Sequence, residues 1–210
     1  MTSQTSSAPN CAFCDRDALD LILDETEHFY LLADHAPLVE GHALIIPREH
    51  YACYGAIPEA LEQEFLELKR RVAAFLAAAY TAPAFFEHGV FRQTVRHAHL
   101  HALPFGALPF DPHLAAGNGA RLVAAPADLR RWYAERGHYF YLEQPGSDSR
   151  FGLAAVFPPE EERYWQVLAH LRDAAGRHGT WMPQAARRAT GQEKMRTLAE
   201  KWRAYVDGVR

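Results

Sequence analysis

The sequence predicts an α+β fold in which a small sheet packs against several helices. Short runs of aromatic and aliphatic residues, bounded by Pro and Gly, are typical of strands. Other segments repeat apolar residues every three or four positions, as helices with one buried face do. The chain has 210 residues, of which 49% are hydrophobic and 23% are charged. This composition supports a sizeable core, and the length suits one domain with an extension or two small domains.

The first half begins with two predicted strands and a long helix. Residues 28–34 form an aromatic and aliphatic run, and residues 42–47 form a second run that ends at a proline. Pro58 begins the helix, at a position where a missing N–H is harmless. The helix is predicted to extend to Tyr80. Its apolar stripe consists of Leu61, Phe65, Leu68, Val72 and Leu76.

A strand is predicted over residues 84–87, and another over residues 97–103, where histidines alternate with apolar residues. Because successive side chains of a strand point to opposite faces, the histidines are expected on one face and the apolar residues on the other. Three imidazoles on one face are costly unless they are hydrogen-bonded or functional. The histidines are His97, His99 and His101, and the apolar residues are Ala98, Leu100 and Ala102.

The second half predicts a mixture of strands and helices after a linker rich in Pro, Gly and Ala at 104–119. A strand, a helix, two strands around a turn and two more helices follow. The strand is predicted at 121–124 and the first helix at 126–136. The two strands lie on either side of the turn at 145–149, and the last two helices span 159–175 and 190–207. The last helix begins with the capping-box pattern Thr190-Gly-Gln-Glu193. Its apolar stripe consists of Met195, Leu198, Trp202 and Tyr205.

Charge and cysteine content exclude several classes of protein. The net charge of −4 argues against a nucleic acid duplex as the partner, whereas a small anionic ligand needs only a few local cations. Residues 1–10 lack the features of a secretory signal and predict a flexible tail. The longest apolar stretch, residues 72–80, is too short to span a membrane. Three cysteines do not form a disulfide framework, so a reducing cytoplasm is expected.

The seven residues HAHLHAL at 97–103 fit the pattern His-φ-His-φ-His-φ-φ, in which φ is apolar, and thereby resemble the histidine-triad (HIT) superfamily. Residues 30–34, 40–50 and 93–96 extend the resemblance over about residues 11–104. It implies an antiparallel sheet of about five strands with packed helices in a HIT domain at 11–106. The rest is predicted as an α/β C-terminal extension, 107–210, packed on that domain. The resemblance also implies a homodimer. The alternative is a His-rich strand that binds adventitious metal.

The resemblance implies that the middle histidine, His99, attacks the α-phosphorus of a nucleotide. A neutral imidazole is both a good nucleophile and a good leaving group once phosphorylated, which suits a two-step substitution. The nucleotidyl-histidine would then be resolved by water or another acceptor. His99 needs a hydrogen-bond acceptor for its second ring nitrogen, so that the tautomer is fixed. His101 is expected to contact the phosphate oxygens, and His97 completes the triad.

Other residues match positions that bind the nucleotide in the HIT family. Thr94, predicted as catalytic, and Gln93 match residues that hydrogen-bond the phosphate or the leaving group. Asp34 matches a ribose-hydroxyl acceptor. Arg92 is either a stabiliser of phosphate charge or an ordinary solvated loop residue. His42 is either close to the catalytic strand or a satisfied core histidine. One departure is the segment 85–92, FFEHGVFR, which is bulkier than the glycine-rich family segment and leaves its phosphate contact open.

Cys11 and Cys14 have the C-x-x-C spacing of a zinc site, although one such pair is weak evidence. Related bacterial HIT proteins complete a four-ligand site with two histidines, and His50 and His97 match them. Two thiolates and two imidazoles form a closed tetrahedron, so the predicted zinc is structural. The alternative is a relic site with empty thiols.

The predicted function is that of a nucleotide phosphohydrolase or nucleotidyl transferase acting on dinucleoside polyphosphates or nucleoside phosphoramidates. His101 occupies a position that is glutamine in related uridylyltransferases, which favours hydrolysis. The alternatives are transfer to a phosphate or sugar-phosphate acceptor, and a zinc-stabilised nucleotide-binding protein with negligible turnover. The extension is expected either to cover the site, with cations such as Lys194 and Arg196, or to mediate dimerisation.

Overall fold

The structure is a computed structural model that describes residues 11–106, 120–144, 153–177 and 182–209. The predicted linker from residue 107 onwards and the predicted turn at 145–149 lie outside these ranges. The strands are β1 Ile22–Glu25, β2 Phe29–Ala33, β3 Ala43–Pro47, β4 Ala84–Glu87, β5 Leu100–Leu103, β6 Arg121–Leu122, β7 Phe140–Gln144 and β8 Leu153–Phe157. The α-helices are α1 Glu62–Ala79, α2 Pro126–Arg136, α3 Glu161–Arg177, α4 Gln184–Thr190 and α5 Gln192–Val209.

Within the described residues, eight strands form one antiparallel sheet in the order β1-β2-β3-β5-β4-β7-β8-β6. The α+β class is confirmed. The five strands expected for residues 11–106 are β1 to β5, and three strands of the second half extend the sheet to eight. The first five strands leave the outer edge of β4 open, and β7 pairs with it. An open edge carries unpaired N–H and C=O groups, which the strands of the second half satisfy.

The strand register shows which side chains lie on each face of the sheet. Phe86 and Leu44 both lie opposite His101, so these three side chains share one face, which we call the triad face. The neighbouring residues Phe85 and Leu100 therefore point to the other face, which we call the helix face. They pack there with residues of α1 and α5 in the main core. Helix α3 packs on the triad face through a second cluster that contains Phe86, Val167 and Leu171.

The histidine segment enters the sheet later than its sequence predicts, because β5 begins only at Leu100. His97 and His99 therefore precede the strand. The predicted alternation nevertheless holds for the apolar residues, because Ala98, Leu100 and Ala102 all lie in the main core. Strand β1 was not predicted. Its residues are only partly buried, so they carry little of the apolar signal that marks a central strand.

The end of the chain corrects the predicted capping box. Thr190 is the last residue of α4, and its hydroxyl donates to the Ala186 carbonyl instead of capping α5. A Cβ at Gly191 would lie 2.6 Å from Cδ of Pro37, so only glycine permits the turn between α4 and α5 to approach the first half of the chain this closely. The apolar stripe of α5 is confirmed. Met195, Leu198 and Trp202 are buried in the main core, with Tyr205 packed against them.

A buried carboxyl group on the helix face gives a testable pH dependence of stability. Glu87 has no exposed surface and accepts hydrogen bonds from the Tyr54 N–H (2.8 Å) and the Tyr139 hydroxyl (2.7 Å). Burial nevertheless raises the pKa of Glu87 to about 7. The folded chain therefore binds more protons than the unfolded chain between the ordinary pKa of a glutamate and pH 7. The protonated Glu87 carboxyl therefore adds to the free energy of unfolding at lower pH, and this contribution is lost as the pH rises through about 7.

We expect Glu87→Gln to remove this dependence. The free energy of unfolding of the variant, relative to that of the wild type, should rise by on the order of 3 kcal/mol between pH 5 and pH 8. Urea unfolding at several pH values measures the shift, and the subtraction cancels titration elsewhere. Glu200→Gln, at an exposed position of α5, is the control. An equal shift in both variants would contradict the assignment.

Candidate active site

A cavity of about 330 Å³ lies against the triad face. Helices α3 and α4 of the second half form part of its wall, through residues such as Tyr164 and Arg187. Of the predicted catalytic and nucleotide-binding residues, His97 and Gln93 do not line it. The other predicted catalytic and nucleotide-binding residues all do: Asp34, His42, Arg92, Thr94, His99 and His101.

The ring of His99 is held in one tautomer by the backbone. Its Nδ1–H donates to the carbonyl oxygen of His97 at 2.7 Å. Burial lowers the pKa of His99, so the ring is neutral at neutral pH. With the proton on Nδ1, the lone pair resides on Nε2. His99 therefore offers a neutral nucleophilic nitrogen in a residue that lines the cavity.

A chain of hydrogen bonds fixes the tautomer of His101. The Leu38 N–H donates to Nδ1 of His42 (3.2 Å), so Nε2 of His42 carries its proton. That N–H donates to Nδ1 of His101 (2.9 Å). The single N–H of the neutral His101 ring is therefore on Nε2. Nε2 of His101 is buried and has no partner among the described residues. The arrangement thus provides one unused N–H donor for an oxygen of a ligand. Burial lowers the pKa of both rings.

Asp34 lies next to this pair of imidazoles. Its Oδ1 accepts a hydrogen bond from the Ala36 N–H at 2.6 Å. Its Oδ2 is 3.6 Å from Nε2 of His42 and 3.9 Å from Nδ1 of His101. The carboxylate is therefore oriented towards the cavity histidines and keeps lone pairs on Oδ2 for a hydroxyl donor.

The loop before the triad is held against α3. The guanidinium of Arg92 lies 3.0 Å from a carboxylate oxygen of Glu161 and covers the ring of Trp165 at 5.1 Å. This cation therefore already has a carboxylate partner, which weakens its availability for phosphate. Gln93 points elsewhere, because its amide donates to the Ala52 carbonyl at 3.0 Å.

The four predicted metal ligands converge beside the cavity, with their ligand atoms all within 4.8 Å of one another. Nδ1 of His97 lies 3.4 Å from the Cys11 sulfur and 3.5 Å from the Cys14 sulfur. Nδ1 of His50 lies 3.3 Å from the Cys14 sulfur. A tetrahedral zinc ion with ordinary bond lengths separates sulfur and nitrogen ligands by about 3.5 Å. The donor set and its spacing therefore fit zinc.

One hydrogen bond and one lowered pKa further support a metal at this cluster. Nε2–H of His97 donates to the Pro47 carbonyl at 2.8 Å, which directs Nδ1 to the thiols. Burial lowers the pKa of His97 to about 4, which keeps the imidazole in the neutral form that binds metal. Phe13, between the two cysteines, contacts His97 and His99 with ring centroids 5.8 and 5.4 Å apart. The cluster thus adjoins the candidate nucleophile through one aromatic ring.

Several lining residues were missed by sequence reasoning. His88 lines the cavity, and extending the two-residue period of β4 from Phe86 would have indicated it. Tyr164 and Arg187 come from α3 and α4, and no local pattern marks them. Lys194 and Arg196, which were predicted to cover the site, do not line this cavity. Arg196 instead lines a neighbouring cavity with Arg188.

Comparisons with known proteins identify the family of the chain. The HIT domain profile matches residues 16–106. Adenosine 5′-monophosphoramidase HNT1 of Saccharomyces cerevisiae is 31% identical over 113 residues, which are 50% of this chain and 71% of that protein. The predicted class, a histidine-triad enzyme, is thereby confirmed. The chain belongs to the HIT family.

Solved structures of the same family are also similar to this chain, with TM-scores below 0.5. A HIT family hydrolase from Clostridium thermocellum is 32% identical, covering 50% of this chain and 97% of that one with a TM-score of 0.41. A zinc-bound histidine triad family protein from Mycobacterium smegmatis is 22% identical, covering 60% and 94% of the two chains, also with a TM-score of 0.41. Among the described residues, no helix is long and apolar enough to cross a membrane.

Proposed function

We propose that the chain hydrolyses nucleoside 5′-phosphoramidates through a covalent nucleotidyl intermediate on His99. The observation that carries the proposal is the pair of fixed tautomers in one cavity. His99 has its lone pair on Nε2, and His101 has an unused N–H on its own Nε2. A phosphoryl group needs both a nucleophile and a donor to its oxygens. The relative HNT1, an adenosine 5′-monophosphoramidase, supports the substrate class.

In the first step, the lone pair on Nε2 of His99 forms a bond to the α-phosphorus and the P–N bond breaks. The amine leaves with the electron pair of that bond and takes a proton from solvent. Thr94 lines the cavity, and its hydroxyl is a suitable hydrogen-bond donor to the leaving group. The imidazole of His99 becomes positively charged, and the His97 carbonyl that accepts its Nδ1–H stabilises this charge.

The remaining predicted residues bind the nucleotide. The N–H of His101 donates to a phosphoryl oxygen, and His42 holds that N–H in place through Nδ1 of His101. Oδ2 of Asp34 accepts from a ribose hydroxyl, because a carboxylate suits a vicinal diol. We assign Arg92 a weaker part in stabilising the phosphate, since Glu161 already neutralises it. Gln93 stays a predicted phosphate contact that would require its amide to leave the Ala52 carbonyl.

We further propose that Cys11, Cys14, His50 and His97 hold a structural zinc ion. A closed site of four protein ligands has no open position for water, so the ion supplies cross-linking of distant segments and no chemistry at phosphorus. It joins the N-terminal C-x-x-C to the segment that precedes β5. The expected homodimer also stays a prediction. It cannot form by pairing of β4 edges, because β7 of the same chain occupies that edge.

The test is product analysis with purified protein and adenosine 5′-phosphoramidate, with diadenosine polyphosphates in parallel. We expect stoichiometric AMP and ammonia from the phosphoramidate, and no such products with the His99→Asn protein as the control for contaminating activity. Adding inorganic phosphate or a sugar phosphate tests transfer, which would divert the nucleotidyl group from water to that acceptor. Absence of His99-dependent AMP from any phosphoramidate would contradict the proposal.

A further inference from the structure

His88 occupies a place on the triad face that is opposite His99. In the β4–β5 register, Phe86 lies opposite His101 and Phe85 opposite Ala102, so continuing the ladder by two residues pairs His88 with His99. The rings confirm this proximity. The centroid of the His88 ring is 6.4 Å from that of His99 and 6.0 Å from that of His101. A further imidazole therefore lies on the cavity, next to His99 and His101.

The position of His88 is set by packing on both sides. Its ring contacts Phe86 at 4.9 Å and Tyr164 of α3 at 5.8 Å between centroids. The next residue, Gly89, has a positive φ of 54°, and a Cβ there would lie 2.4 Å from the Tyr139 ring. Any larger residue at Gly89 would displace the backbone that presents His88. The second half of the chain thus holds this imidazole against the catalytic cavity.

The ring of His88 has unused hydrogen-bonding capacity. Its Nδ1 is buried and has no hydrogen-bond partner among the described residues. An unsatisfied buried polar atom is unfavourable, so a retained one calls for a ligand or water that satisfies it. Burial lowers the pKa of His88 to about 4, so the ring is neutral and one of its nitrogens has a lone pair. A bound phosphate anion beside the ring favours uptake of a proton by it.

We propose that His88 is a further catalytic residue, which accepts a proton from the water that hydrolyses the nucleotidyl-His99 intermediate. This inference rests on the proposed function. In this second step the water oxygen forms a bond to phosphorus, and the bond between phosphorus and Nε2 of His99 breaks. The electron pair returns to His99, and the proton of the water passes to the free nitrogen of His88 and then to solvent.

The other cavity histidines are less suited to this role. Nδ1 of His101 already accepts the N–H of His42, so His101 can only donate. Both nitrogens of His42 are engaged, and Nε2 of His99 is bonded to phosphorus in the intermediate. The carboxylate of Asp34 lies on the Nδ1 side of His101, away from its free N–H. Among the cavity histidines whose rings contact those of His99 or His101, His88 is the one with an available nitrogen. His35 also lines the cavity, but its ring makes no such contact.

The experiment separates the two chemical steps in His88→Gln and His88→Phe. Rapid mixing of protein with one equivalent of adenosine 5′-phosphoramidate, followed by acid-free quenching and intact mass measurement, follows formation and decay of the adenylylated chain. We expect its decay to slow by about 10²-fold or more, the range for loss of a general base. Its formation should change by less than about threefold, and ammonia should be released at the rate of adduct formation, well ahead of AMP.

Two comparisons keep the result interpretable. His138→Gln, an exposed histidine after α2, is the matched control and should show wild-type kinetics. Circular dichroism and melting temperature show that each variant is folded, and Phe preserves the packing against Tyr164 if Gln does not. Unchanged decay, or an equal slowing of formation and decay, overturns the role of His88 alone. Absence of both adduct and hydrolysis in every protein, including the wild type, instead contradicts the proposed function and with it this inference.

Discussion

Replacing His99 with Asn is expected to lower kcat for phosphoramidate hydrolysis by roughly 10⁴-fold or more, the scale lost when a covalent nucleophile is removed. Asn keeps a similar size and can still donate to the His97 carbonyl, which His99 contacts at 2.7 Å. It has no nucleophilic nitrogen for phosphorus. The cavity and the N–H of His101 stay in place, so AMP should bind with an affinity close to that of the wild type.

Steady-state kinetics and calorimetric titration with AMP measure the two quantities separately. Mass spectrometry of the protein mixed with substrate should find the nucleotidyl adduct on the wild type and not on the variant. Activity above one-tenth of the wild-type value, with the fold intact, would show that His99 is not the nucleophile. A loss of AMP binding together with turnover would instead indicate that the substitution disrupts the cavity.

The second large effect is expected from Cys14→Ser. The Cys14 sulfur lies 3.3 Å from Nδ1 of His50 and 3.5 Å from Nδ1 of His97, so it is close to both histidine ligands of the proposed site. Serine is a poor zinc ligand, and the remaining ligands would be left partly buried and uncompensated. Loss of a structural metal is among the largest single-residue effects on stability, so the melting temperature should fall by roughly 10 °C or more.

Metal analysis of untagged protein should find about one zinc per wild-type chain and much less in the variant. Cys53→Ala is the matched control, because Cys53 is buried in the main core and is not one of the four clustered residues. It should retain zinc. Turnover should also decline in Cys14→Ser, because Phe13 contacts both His97 and His99. A wild-type protein without metal that melts at the same temperature as the variant would rule out structural zinc.

The sequence by itself determined those features that depend on local periodicity and on residue type. The stripe from Phe65 to Leu76 predicted α1, because a helix must bury residues at three- and four-residue steps. Alternation across Ala98, Leu100 and Ala102 predicted which residues of the histidine segment enter the core. The chemistry of two thiols and two imidazoles, read through the family resemblance, predicted the cluster that the structure assembles.

Boundaries were less predictable where neighbouring elements compete for the same residues. Thr190 followed by Glu193 has the composition of a capping box, yet α4 takes Thr190 as its last residue. Helix α4 can end at Thr190 because Gly191 fits against Pro37, a residue 154 positions earlier in the chain. A local pattern carries no information about such a contact.

Only the tertiary structure decided how the second half meets the site. Pairing of β7 with the edge of β4 extends the sheet, and packing of α3 on the triad face then sets Tyr164 against His88. The same packing pairs Arg92 with Glu161, although no local pattern in the sequence connects these two residues. Strand pairing and helix packing join residues far apart in the chain, and the free energy of each contact depends on the partner that folding supplies. The sequence therefore predicted the three histidines and the cluster of two cysteines and two histidines. Only the tertiary structure placed His88 and Tyr164 next to them.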